Sequence, residues 1–424
     1  MMPHYYDTKK AKWLLWLSLL VNLGMLFTFK YYDFFVLELQ SALGSVGVPF
    51  NLTTLNIILP VGISFYTFQT LSYTIDIYRK ELKPTHNFIE FFAYVSFFPQ
   101  LVAGPIERAS SLLPQFQNDR EKLTPAVASD ALRQIIYGFF KKMVFADNLG
   151  TLVDQIFGTY TEVSAITLMM GGILFAIQVY ADFSGYSDIA IGIGKLFGFK
   201  LMTNFRVPMI SKNIPEFWSK WHISMTTWFR DYLFKPMAKQ FASGPVSIFL
   251  CVIFLFMVIG FWHGANWTFI IFGLINGLLF IPAALRRVSP KAAKFLDLLY
   301  STPFLTGVMV LGTFLINGMT SIFFRAPDIQ TAIGYFVNML FYAPWTMPEW
   351  EIMQYWWLMC VPGLAWEGFM RKYEHQLDIA HFPQWLRWVC YYFILICIVM
   401  VGNFGRPPFI YLSLIHISEP TRPY

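Results

Sequence analysis

The sequence predicts an all-α, polytopic membrane protein, and three observations carry that expectation. The chain has 424 residues, 56% of them hydrophobic and 19% aromatic. Only 13% are charged, about half of the roughly 25% usual in soluble domains. Apolar runs recur along most of the chain, without the alternating ten-residue strands of a transmembrane barrel. A soluble enzyme of this size needs more charge to cover its surface, and disorder requires low hydrophobicity. Mean hydropathy of +0.50 excludes both.

A helix crosses the hydrocarbon core with about 20 mainly apolar residues. The first run, 13–29, follows the basic stretch Lys9-Lys10-Ala11-Lys12. It has the outline of a signal peptide, but Lys30-Tyr31-Tyr32 follows it in place of a small-residue cleavage pattern, so it reads as a first span. Further runs lie at 55–73, 88–103, 131–149, 166–181, 189–199 and 246–261, then at 267–285, 304–324, 332–341, 356–366 and 388–401. Several are too short for a simple span. They predict tilted, re-entrant or protein-buried helices, with about nine to eleven membrane-embedded helices in all.

With no internal repeat and no long linker, residues 1–411 read as a single membrane domain. The last stretch, 412–424, reads LSLIHISEPTRPY and departs from everything before it. It matches an in-frame translation of sequencing-adaptor DNA, so His416 is left out of every site. Cys251, Cys360, Cys390 and Cys397 all lie in apolar runs and form no CxxC pair. They read as core filler, and neither a disulfide nor a metal site is expected.

The formal charge is +6. A single segment, Lys195 to Lys239, accounts for that value, with eight Lys or Arg opposed only by Glu216 and Asp231. Trp218, Trp221, Trp228, Phe229 and Tyr232 are interleaved with those charges. One reading is a cytoplasmic loop obeying the positive-inside rule, with aromatic residues at the interface. A compatible one is that the cations also face an anionic cytosolic ligand, such as a phosphate-bearing acyl carrier. Nucleic-acid binding finds no other support. From Gln240 to Leu285 there is then no Asp, Glu, Lys or Arg across 46 residues. His263 stands inside that stretch, near the joint of two expected spans.

A titratable group in membrane-embedded sequence is costly and is a functional candidate by default. Histidine can take a proton from a hydroxyl near neutral pH and return it to a leaving group. Beside His263, Gly264 permits close approach of another chain or ligand, and Asn266 is placed to orient the ring. The competing reading has His263 capping a carbonyl at a helix junction. His222 is a second candidate: at helical spacing Trp218, His222 and Thr226 share a face that Arg230 continues. A buried histidine satisfied by Ser or Thr is the other reading. Asp182 and Asp188 flank Gly185, which is positioned to bend the helix. These acids could orient an imidazole, bind a cation, or cap a helix with Ser184 or Ser187. There is no GxSxG elbow, and Gly192-Ile193-Gly194 is only a fragment of a phosphate loop.

Several stretches in order carry a family resemblance: Gln100-Leu-Val-Ala-Gly-Pro-Ile-Glu-Arg108, Asp182-Phe-Ser-Gly-Tyr-Ser-Asp188 with Ala190-Ile-Gly192, and Asn204-Phe205. They continue with Glu216-Phe-Trp218, Trp221-His-Ile-Ser224, Trp228-Phe-Arg-Asp-Tyr-Leu233, Trp262-His-Gly264 and Phe323-Phe-Arg-Ala326. The chain resembles the membrane-bound O-acyltransferase family, in particular its bacterial alginate O-acetyltransferase branch. The resemblance implies a ring of helices around a thinned centre, in a multi-pass protein of the bacterial inner membrane. It also implies His263 as the catalytic residue and His222 as its essential companion. Trp262, Asn266, Trp221, Arg230, Asp231 and Asp182 belong to or adjoin the matching motifs and are candidates for substrate or acyl-donor binding.

Acetyl-CoA would be the donor on the cytoplasmic side, with no bound cofactor. The acetyl group would cross the membrane to a periplasmic partner of the SGNH-hydrolase type, which modifies a polysaccharide such as alginate. Members of the family usually begin with further helices, so this chain is expected to lack some. After Leu233 it reads Phe-Lys-Pro-Met-Ala-Lys-Gln, where the alginate type typically carries a Gly-rich loop. That difference keeps D-alanyl transfer to teichoic acid and peptidoglycan acetylation open within the family. Outside it, an ion-coupled secondary transporter is the alternative, since intramembrane acids and broken helices also mark carriers.

Overall fold

The structure, a computed structural model, describes residues 9–405. The adaptor-like stretch at 412–424 lies outside the described residues. Among the described residues the chain is helical with no strand. Six helices are long and apolar enough to cross a membrane: Lys9–Lys30, Ala165–Leu196, Pro245–His263, Trp267–Val288, Pro303–Arg325 and Gln384–Val401. The remaining expected elements are shorter or interrupted. The Ile63–Tyr78 helix has 16 residues, about 24 Å of helix against a hydrocarbon core of ~30 Å.

The Ala165–Leu196 helix forms the centre. Its apolar window is 83% buried, against 6% for Lys9–Lys30 and for Gln384–Val401, which face outward. Two separate runs were expected here, 166–181 and 189–199, with a bend at Gly185. The structure corrects this: the helix continues for 32 residues through Asp182, Gly185 and Asp188. Gly185 serves close packing, since a Cβ there would lie 2.8 Å from the Gly138 carbonyl oxygen of the neighbouring helix. The acids are neutralised in place. Lys142 Nζ lies 2.8 Å from Asp182 and 2.7 Å from Asp147, and Lys141 Nζ lies 2.5 Å from Asp188. Both lysines come from a π-helical segment, Phe140–Ala146, that joins the Pro125–Phe139 and Asp147–Gly158 helices. Asp182 and Asp188 are therefore interhelical ion-pair partners, with no cap made through Ser184 or Ser187.

Two segments enter and leave on the same side. Phe88–Val95 and Phe98–Leu101 climb beside Ile63–Tyr78, with Phe91 packed on Tyr73 and the Tyr94 hydroxyl donating to the Gln69 carbonyl (3.3 Å). Ala109–Gln117 returns, and Gln115 Nε2 donates to the Lys200 carbonyl at 3.0 Å. The second is the basic segment itself. Rather than lying as an interfacial loop, it folds inward as Ile214–Lys220 and Ile223–Phe229, and Trp218, Trp228 and Phe229 become core residues. Trp228 Nε1 donates to the Phe68 carbonyl (3.0 Å) and Trp218 Nε1 to Asn276 Oδ1 (3.1 Å).

Contacts between helices order their ends. Ser18 meets Thr74 and Lys30 meets Ser64, so Lys9–Lys30 and Ile63–Tyr78 are antiparallel. Lys30 also bonds the Trp262 carbonyl, and Arg325 pairs with Asp154. The ends at Lys30, Gly158, His263 and Arg325 thus lie on one face, and those at Lys9, Tyr78, Leu196 and Pro245 on the other. The first face carries Asp33, Glu38, Asp154, Glu162, Asp328 and Glu349, with Lys30 and Arg325 among its cations. The second carries Lys12, Arg79, Lys122, Lys195, Lys239 and Arg286, with Glu81, Asp130, Asp231 and Glu374 among its acids. Cations concentrate on the cytoplasmic side of membrane proteins.

Candidate active site

Two histidines from separate elements line one narrow cavity of about 60 Å³. His263 is the last residue of its helix, and its ring packs edge-on to Phe324 (5.0 Å) and Trp262 (4.8 Å). The chain then turns a tight corner. A Cβ on Gly264 would lie 2.2 Å from the Phe269 ring, so the close approach expected there is made by this chain's own phenylalanine. Asn266 does not orient the imidazole as expected. Its Oδ1 accepts from Thr268 N (3.0 Å) as the N-cap of the next helix, and its Nδ2 donates to the Pro327 carbonyl (2.7 Å).

His222 sits at the apex of the inward-folded segment with φ 44° and ψ 55°, a left-handed conformation uncommon for non-glycine residues. The expected continuous face Trp218–His222–Thr226–Arg230 is accordingly broken: one helix ends at Lys220 and the next starts at Ile223. The ring is fully buried, packed edge-on against Phe183 at 4.6 Å, and 6.2 Å from Trp262. Its Nδ1 lies 3.0 Å from Asn204 Oδ1. Trp221 also lines the cavity and stacks on Phe217 at 5.4 Å. Trp262 stacks on Phe68 at 5.2 Å, and its carbonyl accepts from Lys30 Nζ and from the Tyr31 hydroxyl (3.4 Å).

Of the eight candidates, the structure gathers His222, His263, Trp221 and Trp262. Asp182 is held in the lysine pairs described above. Arg230 and Asp231 belong to a separate groove of about 450 Å³ on the cation-rich face, which Arg79, Arg108, Lys235 and Lys239 also line or adjoin. Asp231 pairs there with Arg108, Arg230 (3.0 Å) and Lys235 (2.8 Å). Burial raises its pKa, but the bonds from those three cations outweigh burial and hold the carboxyl below the usual range. A larger polar pocket of about 780 Å³ opens on the same face, lined in part by Lys141, Asp188, Lys195, Lys200, Ser187 and Asn204. Asn204 stands between this pocket and His222.

The structure adds three groups to the sequence candidates. Asn317, Thr320 and Ser321 line the histidine cavity from the Pro303–Arg325 helix. Their spacing of three and four puts them on one face, a polar stripe visible in the 304–324 run. Lys30 bonds directly behind the Trp-His pair, but at the end of an apolar run a lysine has the sequence signature of an interfacial anchor. Glu107, in the Gly-Pro-Ile-Glu-Arg stretch, is buried and accepts from Met202 N (2.5 Å). Burial pushes its carboxyl up to about 7.

The model of the membrane-bound O-acyltransferase family (MBOAT) matches residues 4–326, which include both histidines and the Trp-His-Gly corner. The chain belongs to that family. Among its MBOAT relatives, a probable alginate O-acetylase of Pseudomonas aeruginosa is 39% identical over 342 residues, covering 80% of this chain and 62% of that protein. A peptidoglycan O-acetyltransferase of Helicobacter pylori is 34% identical over 350 residues, 76% of this chain and 64% of that protein. A teichoic acid D-alanyltransferase of Bacillus subtilis is 33% identical over 244 residues, 53% of this chain and 58% of that protein. The chain thus spans less than two thirds of the length of each of these MBOAT relatives. Family membership and the apolar helices together make it a multi-pass membrane protein.

Proposed function

We propose that this protein is an O-acyltransferase of the bacterial inner membrane. It takes an acetyl group from acetyl-CoA on the cytoplasmic side and delivers it across the membrane for O-acetylation of an extracytoplasmic polysaccharide of the alginate type. A periplasmic SGNH-type partner would complete the transfer. The observation that carries this reading is the meeting of His222 and His263, from two different elements, on one narrow cavity inside a membrane-embedded fold.

The chemistry follows from that arrangement. An imidazole takes the proton of an acceptor hydroxyl as its oxygen attacks the thioester carbonyl. The C–S bond then breaks, and the proton passes to the departing thiolate. His263 is assigned the catalytic role, with His222 as its companion, Trp221 as a wall of the cavity and Trp262 packed against both rings. The largely apolar lining excludes water, which would otherwise hydrolyse the activated acyl group. Direction is supported by charge. The 780 Å³ polar pocket and the basic groove both open on the cation-rich face, suited to the phosphates of CoA. Similarity to a teichoic acid D-alanyltransferase over half of the chain supports D-alanyl transfer as a second reading within the family.

The test is the ester content of the envelope polysaccharide in a host deleted for its own copy of the gene. Restoration of ester-linked acetate by the wild-type gene, and none with an empty vector, is the expected result. D-alanine esters in the same hydrolysate would replace acetyl by the second reading. Neither ester, with solute flux into vesicles instead, would return the protein to the carrier class.

A further inference from the structure

His222 Nδ1 faces Asn204 Oδ1 at 3.0 Å, and hydrogen positions decide what that contact means. Here the surrounding bonds fix them. The backbone N–H of Ser224 can only donate, and it points to Asn204 Oδ1 (3.3 Å). The Ser224 hydroxyl lies 2.9 Å from the same oxygen and 3.4 Å from His222 Nδ1, and it donates to the nearer acceptor, Asn204 Oδ1. The other end of the amide, Nδ2, donates to Ser187 Oγ (3.3 Å). The amide orientation is therefore set, Oδ1 is an acceptor, and the His222 nitrogen facing it must carry the hydrogen. Neutral imidazole has one N–H, so Nε2 holds the lone pair. Nε2 is buried, and among the described residues it has no hydrogen-bond partner. The ring turns its Nδ1 edge to Asn204, so Nε2 is the ring nitrogen left to serve the cavity that His222 lines.

Asn204 also fixes the position of the ring. Its carbonyl accepts from Ile223 N (2.9 Å), so the backbone on the far side of His222 is tied to the same residue that holds its side chain. That bracket sustains the left-handed conformation at His222, which is unfavourable for a non-glycine residue in isolation. Asn204 is itself fully buried and is anchored through Ser187 to the central helix.

We propose that Asn204 is a positioning residue that locks His222 in the Nδ1–H tautomer and presents Nε2 to the cavity as a proton acceptor. The inference rests on the acyl-transfer reading for its consequence but not for its direct test. In the step it serves, His263 takes the proton of the substrate hydroxyl and His222 Nε2 accepts it in turn before it passes to the departing thiolate, while His222 Nδ1–H stays bonded to Asn204. The imidazolium so formed keeps one donor fixed and has one proton to return.

The direct test is ¹⁵N NMR of the complete protein in lipid with labelled histidine, the His222 signals being assigned by their loss in His222→Gln. Wild type should show a protonated Nδ1 and an unprotonated Nε2. Asn204→Asp keeps an acceptor at the same place and should retain that tautomer, whereas Asn204→Leu should lose it. In the acetyl-transfer assay Asn204→Leu should lower kcat by about 10²-fold or more with little change in KM for the donor, because a wrong tautomer removes the companion proton acceptor without removing a binding contact. Asn204→Asp should recover most of that loss. A protonated Nε2 in wild type, or an unchanged tautomer in Asn204→Leu, would overturn the proposal whatever the activity. Equal loss of kcat in both variants, with the tautomer kept in Asn204→Asp, would also overturn it by showing that Asn204 does not act through the ring. If the protein transferred no acyl group at all, the proposed function would fail while the spectra still decided the tautomer.

Discussion

His263→Ala is expected to abolish ester-linked acetate while leaving the protein in the membrane at close to its normal level. General acid–base catalysis by a positioned side chain contributes about 10²- to 10⁴-fold. The cavity of about 60 Å³ is walled mainly by apolar groups, so it offers no other side chain of comparable basicity beyond His222. The ring packs on Trp262 and Phe324, and the corner after it is held by Asn266 and by close packing of Gly264 on Phe269. Acetate and protein level are read together, by ester hydrolysis and by immunoblot. Wild-type acetate in the variant would make His263 structural and remove the catalytic assignment.

Lys142→Met is expected to have the largest effect on stability. It leaves Asp182 and Asp147, both buried, without the cation that lies 2.8 and 2.7 Å away. Breaking a buried pair by removing one partner costs about 3–5 kcal/mol, whereas replacing the whole set by neutral groups can be nearly neutral. Lys142→Met should therefore lose most of the monodisperse protein seen by size-exclusion chromatography in detergent. The triple change Lys142→Met, Asp182→Asn, Asp147→Asn should recover much of it. A single variant that elutes like wild type would show that these charges are hydrated in the folded protein and do not hold the helices together.

The membrane class was legible because it follows from composition and run length, which need no knowledge of packing. The positions of His222 and His263 as candidates were also legible, from the cost of titratable groups among apolar residues. Their convergence was not, because it depends on the break between Lys220 and Ile223 and on the inward fold of a segment whose charge reads as a surface loop. Burial of Trp218 against Asn276 and of Trp228 against Phe68 drives that fold, and both partners lie in distant stretches. The bend expected at Gly185 failed for a related reason. Local propensity makes Gly185 a weak point, but the close approach of Gly138 and the lysines of the π-helical segment turn it into a packing position. Asn266 serves the following helix and not the ring because a short polar side chain just before a helix caps that helix first, whatever ring stands nearby. The polar stripe Asn317, Thr320 and Ser321 was present in the sequence and could have been read from its spacing.

In the proposed function an acyl group enters from the cation-rich face and emerges on the other. Sealed membrane vesicles of both orientations, given externally added acetyl-labelled CoA, test it most directly. CoA does not cross the bilayer, so only vesicles with the cytoplasmic face outward should incorporate label. That label should sit in the lumen, protected from added esterase until detergent is supplied. Label in right-side-out vesicles at the same level, or label wholly open to esterase on the outer face, would contradict transfer across the membrane.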